Sequence, residues 1–371
     1  MATLLGGASH FFQKIIKPVS SFISFGGEKS YLTLDIGTSS VKMLETQEKG
    51  GMMNIISAGI EPLPPDAVKG SMIQDPESVA LSIRTLIETH QIETTDVITS
   101  VPGPLVVIKR ATFPEQAPKE LRETILFEAG NFIPESLDDV NIDYQVLEHD
   151  EETNNVDVLL VAVRKDMLKG YASAIGQAGL VPVIVDVDYF ALENMFELNY
   201  DPNPEETIAL INIGAHYSSI NIVKEGRSVF TGDVPIGGQQ FTTLLAQELS
   251  VDEEQAEEFK VGDAIAEDQE AVQRIVTLAV EQFLDEVQRS LSFFWSGSTK
   301  DQLNTIYISG GTAQLPGLAA TMQERLDVPT EVIDPFRLLN IGDEVDDFFL
   351  RQYSASFAVS VGLASRRPGD K

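Results

Sequence analysis

The chain of 371 residues contains no cysteine. Disulfides, thiol catalysis and cysteine-ligated zinc are therefore excluded, and the composition suits a reducing compartment without requiring one. Basic residues are scarce. Lys and Arg number 26 against 57 Asp and Glu, a net charge of −31, and no basic run is longer than Arg366-Arg367. So acidic a chain is repelled by nucleic acid and by anionic lipid, which disfavours a nucleic-acid role and leaves an acidic face for basic partners. No apolar stretch reaches the roughly 18–20 residues of a spanning helix. The N-terminus shows neither a charged leader nor a cleavage site, so no signal peptide is expected.

What is present is ordinary for a globular protein. The chain is 43% apolar and 22% charged, long enough for two domains with separate cores. Near its start, Phe11, Phe12, Ile15, Ile16, Val19, Phe22 and Ile23 fall at helical spacing with Lys14 and Lys17 between them. That pattern suits a membrane surface or a partner. Pro18 would kink or end such a helix. The alternatives are a tail docked on the body, or a disordered one.

Two segments repeat each other half a chain apart. Residues 32–44 and 209–222 each read as an apolar strand, an Asp/Asn-Ile-Gly turn, small or hydroxyl residues, and a second apolar strand. Asp35 matches Asn212, and Gly37 matches Gly214. The repeat predicts two similar halves facing each other, each offering a glycine turn to the cleft between them. Gly37 lets the backbone bend and approach an anion. The amides of Thr38, Ser39 and Ser40 can converge on phosphate oxygens, and the hydroxyls add donors. Asp35 supplies charge for Mg²⁺ through water. Lys42, two residues beyond Ser40 on the strand, points to the same face and can reach a phosphate. Taken singly, such a turn also serves a plain hairpin.

The periodicity predicts helices over 76–91, 118–130, 165–179, 188–198, 239–249, 271–294, 315–326 and 353–365, alternating with strands, and hence mixed α/β domains. Pro202 to Glu206 form a polar break and the best domain boundary. Strand 305–309 runs into Ser309-Gly310-Gly311-Thr312, where two glycines let a flat ring or a phosphate lie against the backbone. Glu257 and Lys260 share a helical face. They can contact a ribose and a base, or form a surface ion pair.

In this order the segments resemble the actin-like ATPase superfamily. Asp35–Lys42 is similar to its first phosphate motif and Asp186–Leu192 to the first connecting segment. Asn212–Ser219, with Ala215, His216 and Tyr217, resembles the second phosphate motif. Ser309–Gly317 resembles the adenosine motif, and Tyr353–Ala364 the second connecting helix. Val101-Pro-Gly-Pro, Phe113-Pro, Glu120–Ala129 and Phe132-Ile-Pro are similar to the PilM family of type IV pilus assembly and its cell-division relative FtsA. The resemblance implies an α/β, actin-like two-domain fold around a nucleotide cleft. Residues 1–29 are then an extension. Residues 30–205 and 353–371 form domain 1, with subdomain 1A and an inserted 1C subdomain at about 110–181. Residues 206–352 form domain 2, with a smaller subdomain at about 239–275.

The resemblance further implies ATP and Mg²⁺ as ligands. Its implied partner is the N-terminal cytoplasmic peptide of PilN, bound in a groove between 1A and 1C. Indirect links run to PilO and the pilus motor, with self-association also open. The implied location is cytoplasmic, peripheral at the inner membrane. Phe113, Leu121, Ile125, Phe127 and Phe132 mark the region of the groove, most of them as core. The chain departs from the superfamily at Asn212, where an Asp is usual. Asn cannot offer negative charge to Mg²⁺ or act as a base, and no other residue is an evident base. Slow or absent hydrolysis is expected. The competing readings are an FtsA-like polymerising protein and a sugar or acetate kinase.

Overall fold

The computed structural model describes residues 29–49, 52–150, 152–200, 203–297 and 302–367. The amphipathic pattern at 11–23 lies outside them. The first half opens with three antiparallel strands, β1 (Lys29–Ile36), β2 (Ser40–Lys49) and β3 (Met52–Pro62). A short ladder follows, β4 (Val68–Lys69) with β5 (Met72–Ile73), then helix α1 (Pro76–Thr89) and strand β6 (Asp96–Val101). Asp75 caps α1 by accepting from the amides of Glu77 and Ser78, and Pro76 takes the first-turn position where a missing N–H costs nothing.

An insert leaves the sheet at this point. It contains β7 (Val106–Pro114), α2 (Pro118–Glu128), β8 (Val140–Asp150) and β9 (Asn155–Arg164), and its three strands form a separate sheet in the order β7-β9-β8. Then come α3 (Lys165–Gln177), β10 (Val181–Val187) and α4 (Asp188–Asn199). The insert is narrower than the expected 110–181. Helix α3 instead packs on α1, burying Leu168, Tyr171 and Ile175 beside Val79, Ile83 and Leu86. The Tyr171 hydroxyl donates to the Ser71 carbonyl at 2.9 Å.

The second half repeats the plan. It holds β11 (Thr207–Ile213), β12 (Ser218–Lys224), β13 (Arg227–Val234), α5 (Gly238–Leu249), α6 (Glu253–Val261), α7 (Gln269–Gly297), β14 (Thr305–Ser309), α8 (Leu318–Leu326) and β15 (Thr330–Val332). The sheet orders are β10-β6-β1-β2-β3 and β15-β14-β11-β12-β13, each with an antiparallel meander joined to two parallel strands. Residues 239–275 carry no sheet of their own among the described residues. Phe241, Leu245 and Ala256 join the cluster that covers the second sheet.

The chain then crosses back earlier than residue 353. Strand β16 (Asn340–Ile341) already pairs with β3, followed by α9 (Asp347–Tyr353) and α10 (Ala358–Ala364). Ile333, Phe336 and Leu350 drive this return, because their cover lies in the layer between the two sheets.

That middle layer is α4 and α10. Each sheet turns one face outward: Leu32, Leu34, Val41 and Met43 meet α1 and α3, while Ile211, Ile213, Ile220 and Ile222 meet α5, α7 and α8. The inward faces, Leu44, Ile55, Ile98 and Ile184 on one side and Ile208, Leu210 and Val223 on the other, share a single cluster with α4 and α10. Strands buried on both faces read as continuous apolar runs, as β11 does over Ile208–Ile211, whereas β12, equally buried, carries Ser218, Ser219 and Asn221 among its apolar residues. The two helices cross so closely that a Cβ built on Gly362 would lie 1.7 Å from the Ala191 carbonyl oxygen. Beside the crossing, Arg366 pairs with Asp186 at 3.0 Å, both side chains buried. Gly362→Ala is expected to destabilise the protein by about 3 kcal/mol or more through forced separation of these helices, read as a lowered midpoint in urea unfolding.

Candidate functional site

The two repeated turns have the same geometry. Gly37 donates its amide to the Ser40 carbonyl at 3.0 Å, and Gly214 donates to Tyr217 at 3.1 Å. The strand registers also match, Asp35 opposite Lys42 and Asn212 opposite Ser219. A Cβ at Gly37 would stand 3.0 Å from Lys42 Nζ, and one at Gly214 would stand 2.8 Å from the Tyr217 carbonyl. Both turns therefore present bare backbone, and the amides of Thr38, Ser39, Ala215 and His216 have no backbone acceptor among the described residues.

The turns face each other across an open cleft. Its walls include Asp35, Gly37, Thr38, Ser39, Lys42, Asn212, Gly214, Ala215 and Tyr217, joined by Gly310 and Gly311 from the end of β14. Lys42 Nζ stands 3.6 Å from Asp35. His216 Nδ1 and Thr38 Oγ1 are 3.0 Å apart, a direct hydrogen bond from one turn to the other. Ser40 contributes its carbonyl to the first turn. Gly310 has φ +88°, and a Cβ there would meet the Ile213 carbonyl oxygen at 2.4 Å, so only glycine fits. Its amide donates to Ala355 at 2.8 Å, tying this loop to the segment before α10.

Thr312, Glu257 and Lys260 sit behind that wall. The Thr312 hydroxyl donates to the Gly214 carbonyl at 3.2 Å. Lys260 is buried and donates to the Gly238 carbonyl at 3.2 Å, Thr242 Oγ1 at 2.9 Å and the Glu257 carboxylate at 2.6 Å. Burial pushes its ammonium below the ordinary lysine range, with the Glu257 charge opposing. The expectation that Lys260 reaches a ligand directly meets a side chain already committed to bracing α5.

Sequence reasoning missed Asp188, together with Ser100, Pro102, Ser356 and Val359 on the cleft wall. The available signal was Asp186-Val-Asp188 at the end of an apolar strand. Asp188 is buried at the start of α4. One carboxylate oxygen accepts from the amides of Gly103 at 2.9 Å and Tyr189 at 2.8 Å, and the other from the Tyr217 hydroxyl at 3.1 Å. Burial, then the charge of Asp233, push its carboxyl up to about 8 despite these donors. Among the described residues, Asp35 and Asp188 are the two acidic side chains on the cleft wall. No group of three metal-binding side chains occurs among the described residues. A divalent cation here would keep most of its water and lean on an anionic ligand, the habit of Mg²⁺. Converging amides, Lys42 and bare glycine backbone fit a polyphosphate.

Known proteins resemble the chain along most of its length. The family model described as type IV pilus assembly protein PilM matches residues 33–368. A solved PilM–PilN type IV pilus biogenesis complex aligns with TM-score 0.79 and 25% identity, over 90% of this chain and 97% of that one. MreB5 of Spiroplasma citri bound to ADP aligns with TM-score 0.52 and 12% identity, over 90% and 94%. The cell division protein FtsA of Bacillus subtilis (strain 168) is 22% identical over 356 residues, 82% of this chain and 78% of that protein.

A buried carboxyl whose pKa is raised on folding takes up protons as the protein folds. Its contribution to stability is therefore lost as pH rises from the ordinary 3.8 toward about 8. Asp188→Asn should be more stable than the unmodified protein at pH 8 by about 1–2 kcal/mol, with the difference closing toward pH 4. Urea denaturation across that range checks it.

Proposed function

The chain belongs to the family of type IV pilus assembly protein PilM and has the actin-like ATPase fold, and from that footing we propose that it is an ATP-binding scaffold of the pilus machine. The observation that carries the reading is the pair of matched glycine turns facing each other, linked by the His216–Thr38 hydrogen bond. In this reading the turn amides and Lys42 hold the phosphates, Asp35 and Asp188 orient the water shell of Mg²⁺, and Gly310-Gly311 give the adenosine a flat backbone surface. Turnover is slow, because Asn212 stands where a second charged acceptor would help activate water.

The partner is the N-terminal cytoplasmic peptide of PilN, in a groove between the first sheet's helices and the insert, with PilO and the pilus motor reached indirectly. A similar solved structure is a PilM–PilN complex, which supports this assignment. The insert's own chemistry favours a docking role. Phe113, Leu121 and Ile125 form its core, whereas Phe127 is 83% exposed on α2 beside the partly exposed Leu126. Exposed apolar groups of this kind mark contact surfaces. No helix among the described residues is long and apolar enough to cross a membrane. Attachment to the inner membrane then runs through PilN, or through residues 11–23.

Calorimetric titration with ATP–Mg²⁺ and with a synthetic PilN N-terminal peptide tests the reading. Both should bind one to one. ATP binding without peptide binding would shift the weight to a filament or kinase. Lys42→Ala should weaken ATP binding about tenfold or more by removing a charge-assisted contact. Asn212→Asp should raise ATP turnover about tenfold or more by restoring a carboxylate beside the phosphates, measured as phosphate release.

A further inference from the structure

The insert is covalently part of the first half, yet both of its ends are fastened to the second. Its root begins where β6 ends, and Ser100 and Pro102 of that root line the cleft. The next residue, Gly103, donates its amide to Asp188, which also faces the cleft. A Cβ on Gly103 would stand 2.2 Å from the Tyr189 ring, so backbone and ring are in direct contact. The Tyr189 hydroxyl then donates to Asp233 near the end of β13, at 2.5 Å. Asp188 is held in turn by Tyr217 of the second glycine turn. At the insert's far end, Glu148 of β8 pairs with Arg227 at the start of β13, at 3.1 Å.

Strand β13 thus carries an anchor for the insert at each end. A rotation of one half against the other, the motion by which a two-sided cleft closes on its ligand, cannot leave both anchors and the covalent root in place. The insert must tilt, or the anchors must break.

We propose that the insert is a strap whose tilt is set by closure of the cleft, through Gly103, Asp188 and Tyr189 at its root and Glu148–Arg227 at its tip. The proposal rests on reading the cleft as a nucleotide site and adds the regulation of the partner groove beside the insert. The coupling is reciprocal by thermodynamic linkage: what binds the insert also changes nucleotide affinity. The Glu148–Arg227 pair is exposed and weak by itself. It acts as a register stop, whereas the buried root transmits the motion.

The test is hydrogen–deuterium exchange of the full-length protein with and without ATP–Mg²⁺, with ATP affinity measured in parallel. Exchange in residues 106–164 should slow on ATP binding. Tyr189→Phe removes one hydroxyl and keeps the ring. It should retain ATP binding while losing the response in the insert. Arg227→Glu should reduce that response, and Glu148→Arg added to Arg227→Glu should restore it. ATP binding with slowing confined to the two glycine turns would overturn the proposal and leave the cleft reading intact. Absence of ATP binding would overturn both.

Discussion

The fold depends on the contact between α4 and α10. These are the corresponding helices of the two halves, and they meet backbone to backbone at Ala191 and Gly362. Each sheet completes its core only by sharing this layer, since the inward faces of both belong to one cluster. A side chain at the crossing would push the sheets apart and carry the two glycine turns with them. The small residues of α10, Ala358, Ser360, Gly362 and Ala364, all buried, allow an approach that larger side chains would hold off. The buried Arg366–Asp186 pair then sits beside the crossing. A buried pair is a modest source of net stability but a costly one to break, so it fixes position more than it adds strength.

The cleft follows from that arrangement. The strands that bear Asp35 and Asn212 are held by the same middle layer, and the turns meet because their sheets are related by the crossing. Asp188 lies at the first residue of α4. One carboxyl therefore touches the connecting helix, the second glycine turn and the root of the insert. Its burial next to Asp233 raises its pKa, the behaviour of a group placed for position and charge control at the expense of solvation.

Much of this was legible in the sequence. The Asp/Asn-Ile-Gly repeat, the glycines after β14 and the alternation of strands and helices identify two related halves, because turns and apolar runs are local signals. The family resemblance carried the order of the segments. What the sequence hid was decided by tertiary contacts. Asp188 reads as one acid among 57 Asp and Glu until donors from two distant segments, the Gly103 amide and the Tyr217 hydroxyl, close on it. Lys260 reads as a surface helix residue, yet Thr242 and the Gly238 carbonyl claim it. The return of the chain at β16 is a two-residue pairing with no periodicity to detect. The insert ends at Arg164 because the apolar stripe of α3 matches α1, a complementarity that no single segment displays.

The two turns are alike in shape and unlike in charge. The first holds Asp35 and Lys42 at paired positions, and the second holds Asn212 and Ser219 at the same places. Among the described residues, the only Lys or Arg on the cleft wall is Lys42, from the first half. An anion spanning the cleft is thus held by a point charge on one side and by dipoles on the other. If the halves part, as the proposed closure requires, the dipolar grip would yield first, since its hydrogen bonds exchange readily with water. In the proposed function the halves would then divide the labour of retention unevenly, the first storing the ligand and the second acting as the latch that decides how long it stays.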